Sequence, residues 1–264
     1  MYIDSDREHL MNLNTDYYEF DRYSDIQPYK FNTIYINQNK YINASSMNVY
    51  DEEKYFISTQ GPKKTTIEDF WTMIDEYNVN VIAMICKEVE DGVEKCTNYW
   101  NEEIEMTLYK IVIEKEIVKD QYVIREIKLI NNSTKKEKNV KQIHFNGWPD
   151  HGVPDVSDGK VFDSFNEMIE LVDKYRENKP VVVHCSAGVG RTGTFITMYV
   201  LNKEIRKQID ENVNEIQFSI FNLVRKLKEM RLYSVQTQQQ YIFIHQYVRY
   251  FLKNNNIKLY IINR

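Results

Sequence analysis

The segment richest in chemical groups is His184-Cys185-Ser186-Ala187-Gly188-Val189-Gly190-Arg191-Thr192-Gly193. It joins a β-branched run at residues 181–183 to a helical run that continues through Phe195, Met198 and Tyr199. Small residues between a strand and a helix let successive backbone N–H groups converge on one point. The helix N-terminus adds its partial positive charge there. Such a loop cradles a tetrahedral dianion. A thiol at the start of the cradle is expected to have a depressed pKa and to be a thiolate at neutral pH. Arg191, six residues beyond Cys185, carries a planar fork able to hold two oxygens of one phosphate. Cys-x5-Arg is therefore a nucleophile and an anion clamp on one loop. Taken alone, the spacing also fits a buried thiol in a tight turn. The strand before it, the helix after it and the small residues between favour the chemical reading. No Gly-Lys-[Ser/Thr] ending follows, so a nucleotide-binding loop is not indicated.

A rigid scaffold has to hold this loop. Residues 79–85 and 181–184 are short, β-branched and almost wholly apolar, as central strands buried on both faces are. Residues 104–145 alternate more loosely and predict an antiparallel meander, with the polar stretch 131–138 as a long hairpin turn. Apolar residues at helical spacing predict helices over 67–74, 161–172, 220–230 and 237–252. Thr65 and Glu68 suggest a capping box for the first, and Ser219 an N-cap for the third. Mixed helices and buried strands predict an α/β fold: a highly twisted mixed β-sheet flanked by α-helices on both faces. Neither repeats nor a low-complexity linker interrupts the chain, so residues 1–264 read as one domain.

Composition narrows the partners. The 264 residues are 42% apolar and 28% charged, with few glycines (8) and prolines (5), the balance of an ordinary globular chain. A net charge of −5 argues against coating nucleic acid, which needs a basic stripe. Three cysteines without a Cys-x-x-Cys pair, and five scattered histidines, suggest neither a disulfide scaffold nor a metal site. The sequence contains no run of 18 apolar residues and begins without the apolar core of a secretory leader. A reducing, cytoplasmic setting is expected, with no cofactor, no metal, no nucleic acid and no membrane span.

HCSAGVGRTG resembles the active-site loop of the protein tyrosine phosphatases, in their phosphotyrosine-specific branch. The likeness extends beyond that loop. DRYSDIQPY (21–29), KYINAS (40–45), STQGP (58–62), DFWTMI (69–74), KCTNYW (95–100), WPDHGVP (148–154) and VQTQQQY (235–241) follow in the family's order and spacing. The matched region runs from about residue 16 to 252, about nine tenths of the chain.

The resemblance implies hydrolysis of phosphotyrosine in proteins or peptides, with inorganic phosphate or sulfate able to occupy the loop. Cys185 attacks phosphorus, and the loop N–H groups of Ser186, Ala187, Gly188, Val189 and Gly190 hold the equatorial oxygens with Arg191. Asp150 is the implied general acid, then base, on a lid bracketed by Pro149 and Pro154. Thr192 is expected to hydrogen-bond the thiolate, and His184 to help set its pKa. Gln236 and Gln240 match the glutamines that position the hydrolytic water. Tyr23 matches the aromatic wall of a slot too deep for phosphoserine, and Asp25 the residue that holds the substrate backbone. Glu90 is expected to orient Arg191, and Lys95 to lie near the lid and leaving group.

Two positions depart from the family's usual pattern. Tyr233 stands where a small residue is common and is expected to narrow the approach to the slot. Ser219 stands where Asp is common, and both can cap a helix. A phosphotyrosine-binding pseudophosphatase is a rival reading, but it would lack the Cys, the Arg or the Asp. A dual-specificity phosphatase is another, but it generally lacks the Tyr23 and Gln236 motifs.

Overall fold

The computed structural model describes residues 12–257 apart from residues 16, 18, 50, 51, 150, 214 and 256. The expected general acid, Asp150, lies outside the described residues. Among the described residues ten strands form: β1 (Thr33–Ile36), β2 (Lys40–Val49), β3 (Glu52–Thr59), β4 (Val81–Met84), β5 (Val89–Glu90), β6 (Val93–Glu94), β7 (Tyr109–Val118), β8 (Tyr122–Asn131), β9 (Glu137–Phe145) and β10 (Val181–His184). Five α-helices accompany them among the same residues: α1 (Ile67–Glu76), α2 (Lys160–Arg176), α3 (Gly190–Asp210), α4 (Ile220–Met230) and α5 (Gln238–Asn254). Among the described residues no helix is long and apolar enough to cross a membrane.

Eight strands make one mixed sheet in the order β1-β2-β3-β10-β4-β9-β8-β7, and β5 pairs with β6 as a separate hairpin. β10 is central and runs parallel to both β3 and β4. Its four residues are all buried, so layers cover both faces, which is why it reads as an unbroken apolar run. The helices α2 and α3 pack on β4 and β10. Phe165 of α2, Phe195 of α3 and Phe243 of α5 lie fully buried in the core.

The parallel strands end level with one another. Thr59 pairs with His184, His184 with Met84, and Met84 with His144. The loops that follow β3, β10, β4 and β9 therefore leave from one edge of the sheet. In α/β folds this carboxyl edge is where ligands bind.

The meander and the four predicted helices are present, and the strand predicted over 79–85 is confined to β4. Ser219 caps α4 as expected, accepting from the Asn222 N–H at 3.2 Å. The expected Thr65–Glu68 capping box does not form. A 3-10 turn, Lys64–Thr66, leads into α1, and Thr66 Oγ1 accepts from the Lys63 N–H at 3.0 Å. Glu68 instead accepts from the Leu108 N–H at 2.6 Å, tying α1 to the segment before β7.

Candidate active site

The loop from Cys185 to Arg191 takes its shape from bonds to its carbonyls. The Cys185 carbonyl accepts from His184 Nδ1 at 3.1 Å, and that of Ser186 from the Gly61 N–H at 2.8 Å. Arg231 reaches the Ala187 carbonyl at 3.3 Å and that of Gly188 at 2.8 Å, where Ser58 Oγ also donates at 2.9 Å. The Val189 carbonyl accepts from the Gly193 N–H at 2.9 Å. With every carbonyl from 185 to 189 drawn outward, the amides point the other way. Among the described residues, no backbone N–H from 186 to 191 donates to a carbonyl. These free donors at the start of α3 form a cup for an anion.

Gly188 makes the turn possible. Its φ is +71°, and a Cβ there would lie 2.1 Å from the Thr59 carbonyl oxygen. Both facts exclude other residues. The loop thus rests directly on the end of β3.

The cup opens into a cleft of about 370 Å³ lined by Cys185, Ser186, Ala187, Gly190 and Arg191. Cys185 is 5% exposed yet lines this cleft, so its sulfur is reached only through the cup. Arg191 is held by Glu90, which is 2% exposed and takes both terminal nitrogens, Nη2 to Oε2 at 2.8 Å. Arg191 Nη2 also approaches the Pro149 carbonyl at 3.4 Å, and its guanidinium sits 5.7 Å from the Trp148 ring centroid. Burial pulls this guanidinium down, but its bonds to Glu90 and the nearby Cys185 sulfur hold it above its ordinary value. The cation therefore stays charged and aimed.

Tyr23, Asp25, Lys95, Glu90, Gln236 and Gln240 also line the cleft. Tyr23 Oη donates to Ser186 Oγ at 2.8 Å, because that hydroxyl gives its own proton to the Lys95 carbonyl at 2.7 Å. This pair joins the aromatic wall to the floor. Gln240 is more constrained than expected. Its Oε1 accepts from the N–H groups of Gln236 at 2.8 Å and Thr237 at 3.2 Å, forming the capping box of α5. Only its Nε2 remains for a water or ligand. Gln236 is exposed, with its side chain uncommitted by this cap.

Other expected residues sit as follows. Gly188 and Val189 do not line the cleft; they contribute through backbone direction. Thr192 Oγ1 is buried without a hydrogen-bond partner, so the expected bond to sulfur is not made here. His184 is fully buried and touches the Cys185 peptide through its carbonyl. Tyr233 is 44% exposed with φ +65°, and it is not among the residues that line the cleft.

Sequence reasoning missed Arg231. It is fully buried and bonds Ser45 Oγ at 3.0 Å and Asn43 Oδ1 at 2.7 Å besides the two loop carbonyls. Burial pulls its guanidinium down to about 10. It also missed the contacts of the loop after β9. Trp148 Nε1 donates to the Gly152 carbonyl at 3.1 Å, and His151 Nε2 lies 2.9 Å from Asp91 Oδ2, bridging that loop to the β5–β6 hairpin.

Comparison with known proteins bears directly on this geometry. The family model described as protein-tyrosine phosphatase matches residues 17–250. The rat (Rattus norvegicus) tyrosine-protein phosphatase non-receptor type 20 is 40% identical over 240 residues, covering 88% of this chain and 54% of the relative. The receptor-type tyrosine-protein phosphatase eta of Gallus gallus is 35% identical over 245 residues, covering 90% of this chain and 17% of the relative. The chain thus spans about half the length, or less, of these curated relatives. Among solved structures, the catalytic domain of human protein tyrosine phosphatase non-receptor type 18 aligns with a TM-score of 0.78 and 31% identity. That alignment covers 88% of this chain and 84% of the other.

Proposed function

This chain belongs to the protein-tyrosine phosphatase family, and from that premise we propose that it hydrolyses phosphotyrosine in proteins and peptides. The reaction runs through a cysteinyl-phosphate intermediate. The observation that carries the proposal is the cup of unpaired N–H groups from 186 to 191 around Cys185, completed by an Arg191 that Glu90 holds in place.

In the first step Cys185 Sγ attacks phosphorus in line, and the P–O bond to the tyrosine ring breaks. The equatorial oxygens develop charge against the loop amides and Arg191, donors already fixed before the substrate arrives. Asp150 gives its proton to the departing phenolate oxygen. In the second step Asp150 removes a proton from a water held by Gln236, and that water displaces Cys185 from phosphorus. Phosphate leaves, and the thiolate is restored. The unpaired Thr192 hydroxyl is a donor for that sulfur as it departs. No cofactor enters either step. Tyr23 and Asp25 flank the cleft and select a long aromatic phosphate ester. Lys95 lies beside the leaving group.

The same reading treats residues 1–264 as a single catalytic domain working where thiols stay reduced, in the cytoplasm, on signalling proteins. The test compares phosphotyrosine and phosphoserine versions of one peptide. The intact chain should release phosphate only from the first, and Cys185→Ser should bind that peptide without turnover. Equal rates on both peptides would move the chain to the dual-specificity class, and no turnover at all would make it a binding module.

A further inference from the structure

Beneath the catalytic loop, a chain of buried polar side chains crosses the sheet from β8 to β10. It starts at Arg125, which is 9% exposed, bonds Glu116 through Nε at 2.7 Å and stacks 4.7 Å from the Trp100 ring centroid. Its Nη1 reaches Gln142 Oε1 at 2.9 Å and His144 Nδ1 at 3.1 Å. A guanidinium can only donate, so both partners must accept.

The far end of the chain is set as well, because the Cys185 carbonyl can only accept from His184 Nδ1. Gln142 turns its oxygen to Arg125, so its Nε2 donates to Tyr99 Oη at 2.8 Å. Tyr99, having accepted, gives its one proton to His184 Nε2 at 2.8 Å. His184 must then carry its proton on Nδ1, which donates to the Cys185 carbonyl. His144 takes the opposite form. Its Nδ1 is bare, and its Nε2–H donates to the Cys86 carbonyl at 2.8 Å. Burial keeps both rings neutral, holding His144 down at about 4 and His184 at about 3. Tyr99 bonds His184 directly, and His144 and the Arg22 charge act on it from farther off.

We propose that Arg125 and Gln142 are positioning residues for the nucleophile. The donor-only guanidinium turns the Gln142 amide so that it donates to Tyr99 and cannot take the Tyr99 proton, which keeps His184 in the tautomer that anchors the Cys185 peptide with its carbonyl away from the cup. The same peptide carries the Ser186 N–H on its other side, and a bond drawn onto its carbonyl strengthens that N–H as a donor to the anion. This inference rests on the reading of Cys185 as the nucleophile.

The experiment uses the full chain with ¹⁵N-labelled histidine as wild type, Gln142→Met and Gln142→Glu. Imidazole ¹⁵N shifts report which ring nitrogen is bare, and the rate of iodoacetate alkylation at pH 6 reports Cys185 reactivity. Wild type should show opposite tautomers, bare at Nε2 in His184 and at Nδ1 in His144. Met is close to Gln in length and leaves Tyr99 free to donate, so the His184 pattern should persist. Glu still accepts from Arg125 but cannot donate. Tyr99 then gives its proton to Glu, and His184 must be protonated at Nε2. Cys185 alkylation should slow ~3–10-fold in the Glu variant and change little in the Met variant. A role in packing alone would rank the two variants the other way.

A wild-type His184 protonated at Nε2 overturns the proposal whatever the variants do. So does a folded Glu variant with unchanged shifts and alkylation. Opposite tautomers in a chain that hydrolyses no phosphotyrosine would support the bond chain and overturn the functional reading instead.

Discussion

Replacing Arg231 by Met tests how the loop is held. The guanidinium donates to Gly188, Ala187, Ser45 and Asn43, and it is fully buried. After the change Gly188 keeps its bond from Ser58, and the Ser45 hydroxyl can rotate to another partner. The Ala187 carbonyl and Asn43 Oδ1 are left without this donor. An unsatisfied buried acceptor costs roughly 1–3 kcal/mol. Relief from burying a cation offsets part of that. A net loss of about 2–4 kcal/mol of fold stability is expected, read as a lower urea midpoint at constant slope. The effect on catalysis should be larger in proportion. Freed carbonyls can swing toward the cup, and losing one aimed donor typically costs about 10²–10³-fold in rate. Phosphate should also inhibit the variant more weakly. If stability falls as expected while kcat/KM and phosphate inhibition stay within about threefold of wild type, the argument that Arg231 aims the loop amides is wrong.

Three further outcomes are expected. Asp150→Ala should slow turnover by roughly 10²–10⁴-fold while retaining peptide binding, measured by steady-state kinetics and by capture of a phosphotyrosine peptide; an unchanged rate at low pH would remove Asp150 from the acid role. Fold stability should fall on acidification. His144 and His184 have folded values depressed to about 4 and about 3, so the unfolded chain binds more protons below about pH 6.5. Their contribution is complete above that pH and declines as pH drops toward the folded values, by roughly 1.4 kcal/mol per unit for each ring. Urea midpoints at pH 5 and pH 7 check this, and His144→Gln should halve the slope. Dilute hydrogen peroxide should inactivate the enzyme reversibly at Cys185, which opens to the cleft. Cys86 is fully buried and Cys96 nearly so, and burial pushes the Cys86 thiol up. Mass mapping that finds either of them oxidised first would contradict the assignment.

What the sequence disclosed depended on how local the signal was. The nucleophile loop is legible because strand, small residues and helix lie within one stretch, and β10 is legible because its burial on both faces makes it uniformly apolar. Glu90 and Gln240 were placed by resemblance, since an acidic residue in a turn and a glutamine at a helix start look solvated until the fold closes on them. Arg231, Arg125, Gln142 and Tyr99 gave no such signal. Their partners come from strands up to 188 residues away in the chain, and a buried arginine breaks the very pattern used to find a core. Thr65 and Glu68 matched a capping box by spacing, but Glu68 found a stronger use in the Leu108 amide. Local pairing gave way there to a contact that only the tertiary fold supplies.

The position of β10 between β3 and β4 has a consequence for synthesis. The two flanking strands leave the ribosome more than 90 residues before their shared neighbour. Until residues 181–184 arrive, each of the pair presents an open row of amides and carbonyls to any passing strand. A nascent chain stalled before that point should therefore be prone to aggregate, and it lacks both the nucleophile and the strand that seals the sheet. The strand that seals the sheet and the loop that carries Cys185 are delivered by the same stretch of chain.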